Sequence, residues 1–236
     1  MKTKTEQSFN PQTAASLFTA MKMSLIDMFI REEVLQFGEF ELKSGRISPY
    51  FFNLGNIDNG GLLYDVANAY ARTVSHMLQW ENVEAEVLFG PAYKGIPLAT
   101  STAVALNNLT GYCRPYNLDF AFNRKEKKDH GEGGSTVGAS IIGKRAIILD
   151  DVITAGTAIR ETLHLFKQEH CKCTAIIVAL DRQEKGVCTE LSAVQQIEQE
   201  LGIPVYSLVE FQDIIDYVKE DNLLQPMLDY RDKYGV

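Results

Sequence analysis

Two adjacent carboxylates, Asp150 and Asp151, close an apolar run, Ala146 to Leu149, and lead into Val152, Ile153, Thr154, Ala155, Gly156, Thr157 and Ala158. The run reads as a buried strand, and a helical pattern begins at Thr157 with Ile159, Leu163, Leu165 and Phe166. A strand, a turn of small residues and a helix N-terminus together offer a phosphate several backbone N–H groups and the positive end of a helix dipole. No bulky side chain between Thr154 and Thr157 blocks the approach, and Gly156 is free to take a positive φ. The acids add a second demand. Beside a phosphate they repel it unless hydrogen donors lie between, and a ribose fits that gap. Its 5′-phosphate would sit in the turn while its 2′- and 3′-hydroxyls donate to Asp150 and Asp151. The same charges would favour a cationic transition state at the anomeric carbon. A plain strand-to-helix turn with an acidic cap would not need two acids.

A second turn, Phe89-Gly90-Pro91-Ala92-Tyr93-Lys94-Gly95-Ile96-Pro97, also joins a strand to a helix and presents a cation at its end. It suits a second anion, here a diphosphate, although a structural turn with an exposed lysine has the same form. Between Arg124 and His130 stand Arg124, Lys125, Lys127, Lys128 and the histidine, with Gly131, Gly133 and Gly134 next. Such a segment can close over a departing diphosphate, exclude water and neutralise developing charge; a solvated basic run looks similar. The stretch Gly138 to Arg145 imitates a P-loop. However, Arg145 stands where Ser or Thr would hold Mg²⁺, and the stretch precedes a strand instead of following one.

The acid-pair segment resembles the phosphoribosyl-diphosphate (PRPP) signature of type I phosphoribosyltransferases. Three further stretches are similar to orotate phosphoribosyltransferases: Leu42 to Asn53, Asn123 to Gly133, and Ala179 to Glu184. The resemblance runs from about residue 24 to the C-terminal helix, with five motifs in matching order and spacing. It implies a type I phosphoribosyltransferase fold: α/β, a mostly parallel central sheet flanked by helices, and a small N-terminal hood of helices and a β-hairpin. It also implies transfer of a 5-phosphoribosyl group from PRPP to N1 of orotate, in pyrimidine synthesis. Asp150 through Ala158 would hold ribose and 5′-phosphate, Tyr93 and Lys94 the diphosphate, and Lys43 would reach PRPP from the hood. Phe51, Phe52, Thr154 and Arg182 would bind orotate. Arg124, Lys125, Lys128 and His130 would form a catalytic loop entering the neighbouring subunit of a homodimer, with Asp150 and Asp151 completing the catalytic set. Mg²⁺ would arrive with PRPP, held by diphosphate, sugar oxygens and water.

The residues agree with this on their own terms. Orotate is a planar anion, so its site needs a cation and a flat apolar surface. Arg182, at the C-terminal end of a strand, can fork onto a carboxylate. Phe51 and Phe52 can cover the ring, or can be ordinary core aromatics. Other readings are a transferase for another base and a PRPP-binding regulator without catalysis. The hairpin and Arg182 favour an anionic pyrimidine over a purine. A regulator of nucleic acid should carry a basic face or an added helix-turn-helix.

These groups need a frame. The 236 residues can bury one core as a single domain, with residues 1–60 as the N-terminal helices and hood and residues 61–236 as the α/β core. The spacing predicts one or two helices over 13–36, then a hairpin from 39–42 and 49–53 with its turn at Ser44-Gly45. Strands are expected at 87–89, 111–113, 145–149, 174–180 and 204–209. Helices are expected at 61–79, 96–107, 157–169, 189–201 and beyond Asp213. The strands read as continuous apolar runs, which argues for a mostly parallel sheet covered on both faces. A net charge of −8 gives no general pull toward nucleic acid or anionic membrane. No apolar run approaches the ~20 residues that span a bilayer, and the start carries no secretory pattern. Cys113, Cys171, Cys173 and Cys188 lack metal-site spacing and suit reduced thiols in a cytoplasmic protein.

Overall fold

The computed structural model describes residues 11–111, 113–125, 135–154, 156–186, 189–219 and 222–236, with side chains from residue 15 onward. Helix α1 (Pro11–Arg31) opens the chain. It stops earlier than its apolar spacing predicts because Glu33 adopts φ +54, which no helix continues. The chain then enters β1 (Leu35–Glu41) and returns as β2 (Ile47–Phe52), an antiparallel pair that forms a sheet of its own. Gly45 turns the hairpin with φ +77.

From α2 (Gly60–Trp80) onward the chain alternates: β3 (Val87–Gly90), α3 (Gly95–Asn107), β4 (Asp119–Asn123), β5 (Thr136–Gly138), β6 (Arg145–Val152), α4 (Thr157–Gln168), β7 (Lys172–Asp181), α5 (Ala193–Leu201) and β8 (Val205–Glu210). Helices α6 (Phe211–Tyr217) and α7 (Leu224–Tyr234) close it. The strand order is β5-β4-β3-β6-β7-β8, all parallel except the β4–β5 pair.

Alternation along β6 explains the burial. Ala146 and Ile148 face a core with Ile159 and Phe166 of α4 and Ile197 of α5. Ile147 and Leu149 face the other core, with residues of α1, α2, α3, α6 and α7. A strand buried on both faces must be apolar at every position, so β3, β6 and β7 were legible as runs. Of the strand expected at 111–113, the two described residues are not in a strand: Gly111 takes φ +79 and Cys113 lies in a bend. The strand next to β3 is β4, in a stretch that reads as polar loop. Only Ala121 of its five residues is fully buried, so it carries no continuous apolar signal. No helix among the described residues is long and apolar enough to cross a membrane.

The sheet order creates the site. From β3 the chain crosses by α3 to β4 on one side; from β6 it crosses by α4 to β7 on the other. The C-terminal ends of β3 and β6 therefore flank the point where the winding reverses, where open α/β sheets bind ligands. Both turns singled out in the sequence lie there.

Candidate active site

Asp150 and Asp151 are both 7% exposed. Each side chain accepts a backbone bond from the next residue: Asp151 N to Asp150 Oδ1 at 3.0 Å and Val152 N to Asp151 Oδ1 at 2.9 Å. From the other turn, Lys94 Nζ reaches Asp151 Oδ2 at 2.5 Å. The turn is drawn tight. A Cβ on Gly90 would lie 2.0 Å from the carbonyl oxygen of Gly95, and one on Gly95 would lie 2.8 Å from the Leu149 carbonyl. Only glycines permit that approach. The Ala92–Tyr93 peptide is cis, Tyr93 is exposed, and Ala92 N donates to Asn123 Oδ1 at 2.7 Å.

After β6 the chain passes exposed Thr154 to Gly156, which takes φ +71 and begins α4. No side chain caps this helix, in contrast to α2, capped by Asn59, and α5, capped by Ser192. The first N–H groups of α4 are thus left for an outside acceptor. Arg124, Lys125 and Ala158 line one small cavity of about 150 Å³ with Pro91, Ala92 and Glu161. It joins the β3 turn, the end of β4 and the start of α4. Arg124 N donates to Ser135 O at 2.8 Å, which brings the two sides of the described chain together at this point. Another cavity, about 610 Å³ between α1 and α2, contains none of the residues expected to bind substrate.

Burial, and then the charge of Asp151, push the Asp150 carboxyl up to about 7, with Lys94 opposing. The native state therefore holds this proton where an unfolded aspartate, near 3.9, has lost it. Stability from this group is complete at low pH and is lost as pH rises through 7. Asp150→Asn, which cannot ionise, is expected to melt roughly 5 °C above the parent at pH 8 and level with it near pH 4. Melting curves at the two pH values check this; a gap that does not widen with pH would place the proton elsewhere.

The phosphoribosyl transferase domain family matches residues 53–202, more than half of the chain. The orotate phosphoribosyltransferase of Marinobacter nauticus is 48% identical over 219 residues, 91% of this chain and 98% of that protein. That of Acinetobacter baylyi is 47% identical over 235 residues, 98% and 99% of the two chains. The crystal structure of the orotate phosphoribosyltransferase of Francisella tularensis superposes with a TM-score of 0.79 at 38% identity, covering 90% of this chain and all of the other. The chain belongs to the orotate phosphoribosyltransferases.

The remaining residues expected of a phosphoribosyltransferase site are placed less uniformly. Lys128, His130 and Ala155 lie outside the described residues. Lys43 is exposed in the hairpin turn. Val152 continues β6, and Ile153 is buried with the α4–α5 core. Phe51 and Phe52 cannot both lay their rings on one ligand face, because neighbours on a strand point oppositely. Phe51 is 39% exposed and stacks on Phe40, whereas Phe52 packs edge-on against Phe29 of α1. Arg182 is not a free cation. Its Nη2 lies 2.6 Å from Glu184 Oε1, and its guanidinium sits over the ring of Tyr50.

Sequence reasoning missed two supports. Tyr70, fully buried in α2, donates from its hydroxyl to the Asp150 carbonyl at 2.7 Å and ties α2 to the acid pair. Asn123 braces the cationic turn through Ala92 N. Asn123 ends β4, and recognising that strand would have placed it beside the turn; nothing in the spacing of Tyr70 distinguishes it from the apolar residues around it.

Proposed function

We propose that the chain transfers the 5-phosphoribosyl group of PRPP to N1 of orotate, releasing diphosphate and forming orotidine 5′-monophosphate in pyrimidine synthesis. The observation that carries it is the Lys94–Asp151 contact. It sets a cation suited to diphosphate against carboxylates suited to ribose, across the two strand ends where the winding reverses. The uncapped N-terminus of α4 takes the 5′-phosphate, with the hydroxyls of Thr154 and Thr157 beside it. Asp150 and Asp151 accept from the ribose hydroxyls and stabilise positive charge that develops as the C1′–O bond to diphosphate lengthens ahead of attack by N1. Lys94, Lys43, Arg124, Lys125, Lys128 and His130 neutralise the departing diphosphate. Arg182 pairs with the orotate carboxylate, and Thr154 and the β2 backbone at Phe51 and Phe52 flank the ring. No side-chain nucleophile is needed.

Magnesium fits the donor set, since the acid pair offers hard carboxylate oxygens. It would be carried in by PRPP, held mainly by diphosphate, sugar hydroxyls and water, and would supply charge neutralisation on the leaving group. The working unit is a cytoplasmic homodimer in which the 124–134 loop of one protomer completes the site of the other.

Loss of orotate absorbance on adding PRPP and Mg²⁺ tests the reaction, with adenine, hypoxanthine and uracil as parallel acceptors. Turnover of orotate alone supports the proposal, and turnover of another base in its place would overturn it. Loop sharing has its own test. Lys128→Ala and Asp151→Asn are each expected to be nearly inactive, yet subunits exchanged between the two should recover about a quarter of parental activity, because each mixed dimer holds one intact site. No recovery after verified exchange would assign loop and acids to one protomer.

A further inference from the structure

The surroundings of Arg182 contain more than a ligand-binding cation requires. One face of the guanidinium is covered by the Tyr50 ring, 4.4 Å from its centroid. Its Nη2 is taken by Glu184 Oε1 at 2.6 Å and approached by Ser48 Oγ at 3.4 Å. Both charged side chains are only 13% exposed. An arriving anion therefore meets a guanidinium whose charge is already balanced. A buried pair that merely fastens the hairpin to β7 would account for the contact, but not for two further observations. The second contact of Glu184, from the Tyr50 hydroxyl, is long at 3.4 Å. The hydroxyl of Tyr230, on α7, is buried among the same groups and faces Ser48 and Glu184. Among the described residues its hydroxyl makes no well-formed hydrogen bond, its contacts with Ser48 and Glu184 being loose. A buried donor that is only loosely satisfied is costly, and here the facing carboxylate is drawn to Arg182 at 2.6 Å.

We infer that Glu184 is an internal stand-in for the carboxylate of the pyrimidine. On orotate binding, one carboxylate replaces another on Arg182, and Glu184 turns to the waiting hydroxyl of Tyr230. The inference rests on the reading of Arg182 as the partner of orotate and adds two affinity- and specificity-setting residues to it. A neutral pyrimidine has nothing to exchange, so it leaves the Arg182–Glu184 pair intact and gains no charged contact. An anionic one gains a charge-assisted bond to Arg182 and leaves Glu184 with a partner. The segment bearing Glu184 is anchored for such a swing. Lys185 N bonds to the Tyr234 carbonyl at 2.8 Å and Val236 N to the Gln183 carbonyl at 3.1 Å, so the backbone stays while the side chain moves.

The test is orotate KM at saturating PRPP in Glu184→Gln, Tyr230→Phe, their double variant and Arg182→Met. Glu184→Gln keeps shape and an acceptor oxygen but removes the competing charge. Repulsion between two carboxylates on one guanidinium outweighs the ordering of one side chain, so orotate KM is expected to fall about tenfold. Tyr230→Phe takes away the receiving donor and is expected to raise orotate KM about fivefold. In the double variant the Tyr230 effect should vanish, because no displaced charge remains to be received. An unchanged or raised KM in Glu184→Gln would overturn the exchange, as would an equal Tyr230 effect in both backgrounds. Arg182→Met distinguishes the premise. A raised orotate KM there, with PRPP KM unmoved, supports the base subsite; no change would remove the subsite and the exchange with it.

Discussion

Asp151→Asn is expected to lower kcat about 10²- to 10³-fold, the usual loss when one preorganised group is removed from a developing charge. The side chain is buried, accepts from Val152 N and meets Lys94 at 2.5 Å. Asparagine preserves the shape and the backbone bond, so the melting temperature should move little. What disappears is negative charge beneath the anomeric carbon, together with the fixed partner that aims Lys94 across the crevice. The loss should appear in kcat more than in the KM for PRPP, since the ground-state sugar is neutral at that carbon and the transition state is not. Steady-state rates at saturating substrates measure it. A kcat within threefold of the parent would remove the acid pair from cation stabilisation.

Gly90→Ala should be the most damaging glycine-to-alanine change among the described residues. Its methyl group would lie 2.0 Å from the Gly95 oxygen and 2.4 Å from the carbon that bears it. Both are backbone atoms at the start of α3, so no side chain can swing aside. Either the helix lifts from β3 or the strand leaves its register with β6, at about 3 kcal/mol or more. Lys94 sits in the displaced turn, so PRPP binding should fail with stability. Urea unfolding and the KM for PRPP report the two losses. Gly45→Ala provides the contrast: nothing lies within 4 Å of its added Cβ, and only the strain of φ +77 opposes it. It should cost about 1 kcal/mol and leave the crevice intact.

Sequence alone was most informative where burial was complete. β6 is enclosed on both faces, so its apolar run and the sudden acid pair stood out, and the helix after them followed from spacing. β4 was hidden because most of its side chains are only partly covered. β1 begins at Leu35, earlier than its pattern suggests, because a backbone with positive φ at Glu33 ends α1 without glycine or proline to announce it. Lys94 was legible as a cation at a turn, but its pairing with Asp151, 57 residues on, depends on β3 and β6 lying side by side. Arg182 was legible as a cation at a strand end. Its neutralisation by a glutamate two residues on was not, since the pair lies past the end of β7, where Gln183 between them takes φ +49 and the chain has left strand geometry. The opposed faces of Phe51 and Phe52 could have been foreseen from alternation once a strand was assigned.

The hairpin of β1 and β2 shares no backbone pairing with the six-stranded sheet. It is held by side chains instead: Arg46 donates to the carbonyls of Lys185 and Gly186 at 2.7 and 3.2 Å and lies over the Tyr234 ring, and Tyr50 stacks on Phe211. On the proposed reading, ribose and 5′-phosphate are thus handled by strand ends in the continuous hydrogen-bonded sheet, and the base by a separately anchored ribbon together with Arg182 and Thr154. A scaffold divided in this way is modular. Its choice of acceptor can be rewritten by exchanging about twenty residues of ribbon and their anchoring side chains, while the strand order that builds the donor crevice stays untouched.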